Sequence, residues 1–199
     1  MSKYHHSLSH IYLENTDIPK NKLNISDSAQ LHAVEEYLLT KAYEIFTTEL
    51  SDNSVFDESY FKSLHRRTFS GLYDWAGEYR IITIHKGDST FCLGQFVEEQ
   101  SKRIFSELEN ENYLRNIEDK KIFIEKLTYF KCEIIALHPF YELNGRTTRL
   151  FFDLLCAFNG YKFIDYSLTT SEEYIQASIE TVCSADNSRM KSIITKGLK

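Results

Sequence analysis

Apolar residues recur at helical spacing along most of the chain. The stretch 119–137 carries them at Ile122, Phe123, Leu127, Phe130, Ile134 and Leu137, and 145–158 repeats the pattern at Leu150, Phe151, Leu154, Leu155 and Phe158. Steps of three and four place these side chains on one helix face, the stripe a helix turns toward a core. The same periodicity predicts further helices over about 28–49, 57–70, 95–109, 170–183 and 187–197. One segment departs from it. In YRIITIHKGDSTFCL, 79–93, β-branched and aromatic residues flank the polar Lys86-Gly87-Asp88, which predicts a β-hairpin. Two prolines and seven glycines are too few to punctuate an all-β chain. An all-α domain with one small β-hairpin follows, and 199 residues suit a single domain, 1–199, able to bury a full core.

Composition narrows the function classes. Hydrophobic residues make up 42% and aromatics 14%, so an ordered core is expected. A net charge of −6 argues against a dedicated nucleic-acid binder, which would carry a basic patch or stripe. No stretch approaches the roughly 20 apolar residues of a membrane span. The opening MSKYHHSLSH lacks the apolar core of a signal peptide, so cytoplasmic residence is the expectation. Cys92, Cys132, Cys156 and Cys183 form no C-x-x-C and are read as free thiols, with Cys132 and Cys156 buried in helices. His5, His6 and His10 are read as a solvated cluster.

The densest chemistry lies at 138–149, HPFYELNGRTTR. Pro139 disfavours the α conformation at His138, so the upstream helix stops there with the imidazole at its C-terminal end. Asn144 is a good N-cap for the downstream helix, which Gly145 would open. Arg146 and Arg149 then fall in its first turns and project from roughly one face. Cations at a positive helix end oppose the dipole unless an anion occupies that end, where free N–H groups already point at it. Each residue also has a plainer reading. A histidine beside a proline is ordinarily structural, Glu142 could be a solvated loop acid, and Arg149 could pair with Asp153.

The dodecapeptide resembles the Fic-domain signature H-x-F-x-(D/E)-G-N-G-R-x-x-R, agreeing at every specified position except Leu143, which replaces the first glycine. TDIPKNKLNI at 16–25, YDWAGEYR at 73–80, KGDSTF at 86–91 and ENYLR at 111–115 resemble segments of bacterial Fic proteins in the same order. The resemblance implies a helical Fic fold and a protein adenylyltransferase, moving AMP from ATP to a Tyr, Ser or Thr hydroxyl of a target protein. It implies His138 as general base and Glu142 as the ligand of Mg²⁺. Asn144, Gly145, Arg146 and Arg149 would bind the ATP phosphates, with 138–145 as the active-site loop. Members of the family receive the target as an added strand on a flap. That role would fall to the hairpin, with Ile82, Thr83, Ile84 and His85 as edge and Lys86, Gly87 and Ser89 in the tip and return.

Leu143 is the departure with consequences. If the glycine's position has positive φ, a leucine there is strained or displaces the anion hole; if φ is ordinary, the side chain crowds the phosphate path. Two alternatives stay open on that account: a Fic-fold phosphotransferase, since a related toxin branch tolerates alanine there and transfers phosphate, and a catalytically silent binding module. The self-inhibitory pattern (S/T)-x-x-x-E-(G/N) is missing, because Glu14-Asn15 follows His10 where Ser or Thr is needed. By resemblance, a separate small helical antitoxin is then expected as a partner of a toxin-type protein. Type II topoisomerase subunits are candidate targets by analogy.

Overall fold

The computed structural model describes residues 11–199; the histidine cluster at 5, 6 and 10 lies outside them. Seven α-helices appear among the described residues: α1 (Ser28–Glu49), α2 (Glu58–Phe69), α3 (Val97–Asn110), α4 (Lys120–Leu137), α5 (Asn144–Phe158), α6 (Ser171–Ser184) and α7 (Ser188–Gly197). Each falls within a residue or two of the span that apolar periodicity predicts. Local chemistry sets most of the starts. Asp27 accepts from Gln30 N–H and Asp57 from Tyr60 N–H, while Thr170 and Glu173 close a capping box on α6. No helix among the described residues is long and apolar enough to cross a membrane.

Helix α4 is the centre of the bundle and packs against α3, α5, α6 and α7, while α1 lies on α2 and α5. Phe123, Leu127, Phe130, Ile134 and Leu137 enter the core as predicted, but Ile122 is 48% exposed. The first turn of α4 lies at the rim, so the stripe begins at Phe123. Phe56, Phe61, Phe105 and Phe151 form the aromatic centre of the core, with Phe61 stacked on Phe140 of the loop after α4. The loop after α4 is thereby anchored from below.

The hairpin is smaller than the apolar run suggests. Only β1 (His85–Lys86) and β2 (Ser89–Thr90) pair, with His85 opposite Thr90 and Lys86 opposite Ser89. Residues 79–84 form no ladder and run over the turn after α4, where Arg80 N–H donates to Pro139 O. Ile84 is buried with Ile11, Tyr12, Phe91 and Tyr141, so its side chain serves packing and is unavailable for docking. Gly94, in the turn that follows β2, lets the chain close on this segment, since a Cβ there would collide with the backbone of Ile81 and Ile82. All four cysteines are free, with Cys132 and Cys156 buried.

Candidate active site

His138 ends α4 in the left-handed conformation (φ 47°, ψ 58°), its N–H donating to Ile134 O. Its ring stacks on Phe91 at 3.8 Å between centroids, 19° from parallel. Burial first, then the positive charges of Arg80 and Lys86, push its pKa down to about 3. The imidazole is therefore neutral at physiological pH, the state a general base needs.

The loop that follows is held by a reciprocal amide clip. Phe140 N–H donates to Asn144 Oδ1 and Asn144 Nδ2 donates to Phe140 O, both at 2.7 Å. Asn144 is thus not the N-cap that its position in the sequence suggests. It is the first residue of α5, and its amide faces back across the turn because the peptide at Phe140 offers a donor and an acceptor at once. The cap position belongs to Leu143, which has φ 66° and no capping side chain. Thr147 N–H to Leu143 O is the first bond of the helix. The N–H groups of Asn144, Gly145 and Arg146 lie ahead of it, as at any helix start.

Leu143 occupies the left-handed conformation, at a cost of about 1–2 kcal/mol for an L residue. Its side chain is buried with Ile25, Leu31, Phe69, Leu72, Tyr73 and Ala76, which offsets that strain. Leu143→Gly removes the strain and also a buried side chain, whose truncation costs roughly 2–5 kcal/mol. The variant should be less stable by about 1–3 kcal/mol in denaturant titration; a gain in stability would contradict this account of the packing.

The fully buried His65 supports the loop from beneath. Its Nδ1 accepts Gly77 N–H at 2.9 Å and its Nε2 donates to Glu142 O at 3.2 Å, which fixes a neutral tautomer. Burial holds its pKa down at about 3, opposed by the bond to Glu142. The folded value lies below the unfolded one, so the unfolded chain takes the proton first. This stabilisation is complete above about pH 6.5 and falls by about 1.4 kcal/mol per pH unit as pH drops toward 3. Urea titrations at pH 7 and 5 should show the loss, and equal stabilities would refute it.

Glu142 is partly exposed, and its Oε1 accepts the Tyr12 hydroxyl at 2.6 Å. Among the described residues no three or more His, Cys, Asp or Glu side chains gather as a metal cluster. A single carboxylate suits Mg²⁺, which keeps water and takes its other ligands from phosphate. Gly145 is exposed, and a Cβ there would meet nothing within 4 Å.

Arg146 is held by α1. Its Nη1 bonds Glu35 Oε2 at 2.7 Å, its Nη2 lies 3.2 Å from His32 Nδ1, and Nε is 3.7 Å from Glu36. Glu35 is itself buried and accepts the Tyr73 hydroxyl. Arg149 lies over the Tyr174 ring at 5.6 Å. Its suggested partner Asp153 is buried and accepts instead from Tyr43 O–H and Ile164 N–H, so no Arg149–Asp153 ion pair forms. His138, Glu142, Asn144, Gly145, Arg146 and Arg149 all line one cavity of about 480 Å³, together with Lys86 and Ser89. Of the hairpin residues, His85, Lys86 and Gly87 are exposed, Ile82 and Thr83 half-buried, and Ser89 is buried against Cys183.

The sequence reading missed Tyr12, Glu35, His65, Tyr73 and Arg80. It also missed the cavity wall on α6, where Tyr174, Ile175, Ser178, Ile179 and Val182 share one face. The helical spacing of those α6 residues is visible in the sequence, but it reads equally as core.

Comparison with known proteins establishes the family and the fold. The Fic/DOC family pattern matches residues 55–156, and the chain belongs to that family. It is 32% identical to the protein named probable protein adenylyltransferase y4lH of Sinorhizobium fredii, over 83% of this chain and 84% of that one. It is 33% identical to protein adenylyltransferase VbhT of Bartonella schoenbuchensis over its whole length, which spans 41% of that longer protein. Among solved structures, the BepC protein of Bartonella tribocorum with bound AMPPNP shares the fold. It covers 98% of this chain and 99% of that chain with a TM-score of 0.83 at 22% identity.

Proposed function

We propose that the chain is a protein adenylyltransferase that moves AMP from ATP to a hydroxyl side chain of another protein. The observation that carries the reading is the start of α5: a helix N-terminus with no capping side chain, opening on the cavity between a neutral histidine and two arginines. Such an end binds phosphate through its N–H groups and dipole. Arg146 and Arg149 add charge, and the open space at Gly145 admits the anion. The apolar face of α6 offers the base of the nucleotide a wall of Ile175, Ile179 and Val182.

His138 takes the proton of the target hydroxyl as its oxygen attacks the α-phosphorus. The bond to the β-phosphate breaks and pyrophosphate leaves. Magnesium bound at Glu142 would neutralise charge on the phosphates. The protein's share is placement and charge stabilisation, as phosphoryl chemistry demands. The exposed His85, Lys86 and Gly87 would present the target hydroxyl, by main-chain pairing at the hairpin.

Two observations bear on the finer points. Leu143 borders the cavity while it packs with Ile25, Leu31 and Tyr73 beneath the loop, so nucleotide binding is what separates an active site from a silent module. Among the described residues Arg149 has no acidic partner within ion-pair distance, so a small helical antitoxin supplying a glutamate would find it available. Calorimetric titration with Mg-ATP tests the site, with Leu143→Gly alongside. Binding by the unaltered chain is expected; binding by the glycine variant alone would favour the silent module.

A further inference from the structure

Arg80 has no part in the scheme above, yet it is 1% exposed and its side chain grips four backbone carbonyls. Nε donates to His138 O at 2.7 Å. Nη2 donates to Leu137 O at 2.9 Å and to Cys92 O at 2.6 Å, and Nη1 donates to Ile82 O. The backbone joins in, with Arg80 N–H donating to Pro139 O at 2.8 Å and Cys92 N–H to Ala136 O at 3.1 Å. Two of the gripped carbonyls close the C-terminus of α4, where unpaired C=O groups and the dipole favour a cation. The other two are the feet of the hairpin, Ile82 ahead of β1 and Cys92 after β2. His138 needs such a grip, because left-handed backbone at an L residue persists only where the surroundings impose it. A planar guanidinium can hold several carbonyls at fixed angles, whereas a lysine is a single mobile point charge.

We propose that Arg80 is a positioning residue that locks the turn bearing His138 to the feet of the hairpin, holding the docked target and its base in one register. The inference rests on the reading of His138 as base and the hairpin as docking edge. It explains how a small two-stranded element can hold a register: its feet are bolted to the helix end that carries the base. Misplacement by about 1 Å can cost on the order of 100-fold in rate.

The test follows transfer of label from α-³²P-ATP into the proteins of a soluble bacterial lysate, as a function of ATP concentration. Arg80→Lys should lower the rate at saturating ATP about 10–100-fold and Arg80→Met lower it further. The KM for ATP should stay within about twofold in both, because the phosphate-binding groups proposed on α5 are untouched. A KM rising in step with the loss of rate would make Arg80 a general support of the fold and overturn the proposal, as would an unchanged rate. An unaltered chain that labels nothing would instead sink the transferase reading, and the clamp with it. Should both variants fail to fold, hydrogen exchange in the unaltered chain decides. The Arg80 and Cys92 N–H groups should exchange only with global opening, and exchange as fast as the Gly87 tip would overturn a rigid link.

Discussion

His138→Ala abolishes nearly all transfer, by roughly 10²–10⁴-fold, and leaves Mg-ATP affinity nearly unchanged. The split follows from where the imidazole sits. It ends α4 against Phe91, on the hairpin side of the cavity, while the N–H groups of Gly145 and Arg146 open α5. A base acts on the target hydroxyl and not on the resting nucleotide, so kcat falls and the dissociation constant does not. The substitution also replaces a residue with positive φ, and the Arg80 bonds to the Leu137 and His138 carbonyls are made to backbone, so they do not depend on the side chain present there. Near-normal turnover in this variant would mean that another group takes the proton.

Arg146→Ala behaves differently and damages two properties at once. Loss of a phosphate contact should cost roughly 10²–10³-fold in kcat/KM, with weaker ATP binding, because the contact serves ground and transition states together. It also strands Glu35, which is buried against Tyr73 and whose carboxylate Arg146 neutralises. Breaking a buried pair by removing one partner costs on the order of 3 kcal/mol. The two effects separate in the double variant. Glu35→Gln combined with Arg146→Ala should recover most of the stability and none of the ATP affinity. If the double variant regained ATP binding, the role of Arg146 would be to hold α1 in place and not to hold phosphate.

The helices were legible because burial imposes a period that survives in the sequence, and because caps such as Asp27, Asp57 and Thr170 mark their starts. The turn at His138 was legible because Pro139 acts locally. The polar framework of the site was not. Glu35 meets Arg146 across 111 residues and Tyr12 meets Glu142 across 130. In a linear reading such groups look like solvated surface, since nothing nearby distinguishes an acid facing water from one facing a distant guanidinium. Arg80 was hidden for the same reason, its partners being backbone carbonyls that carry no residue-type signal. Asn144 misled because its local preference is to cap, while the tight loop offered the Phe140 peptide a better match. The apolar run before β1 misled because β-branched residues also suit extended chain packed over a core. His138, Glu142, Asn144, Gly145, Arg146 and Arg149, which the motif groups in sequence, line one cavity, while the partners of Glu142 and Arg146 come from elsewhere in the chain.

Adenylyl transfer, as opposed to phosphoryl transfer or mere binding, is read most directly from the mass of a modified target after incubation with Mg-ATP. The account predicts that a target hydroxyl gains one AMP unit, that label on the α-phosphate of ATP follows it, and that His138→Ala prevents the gain. A phosphate-sized increment carrying the γ-label would contradict it, as would a nucleotide-bound chain that leaves every protein unmodified.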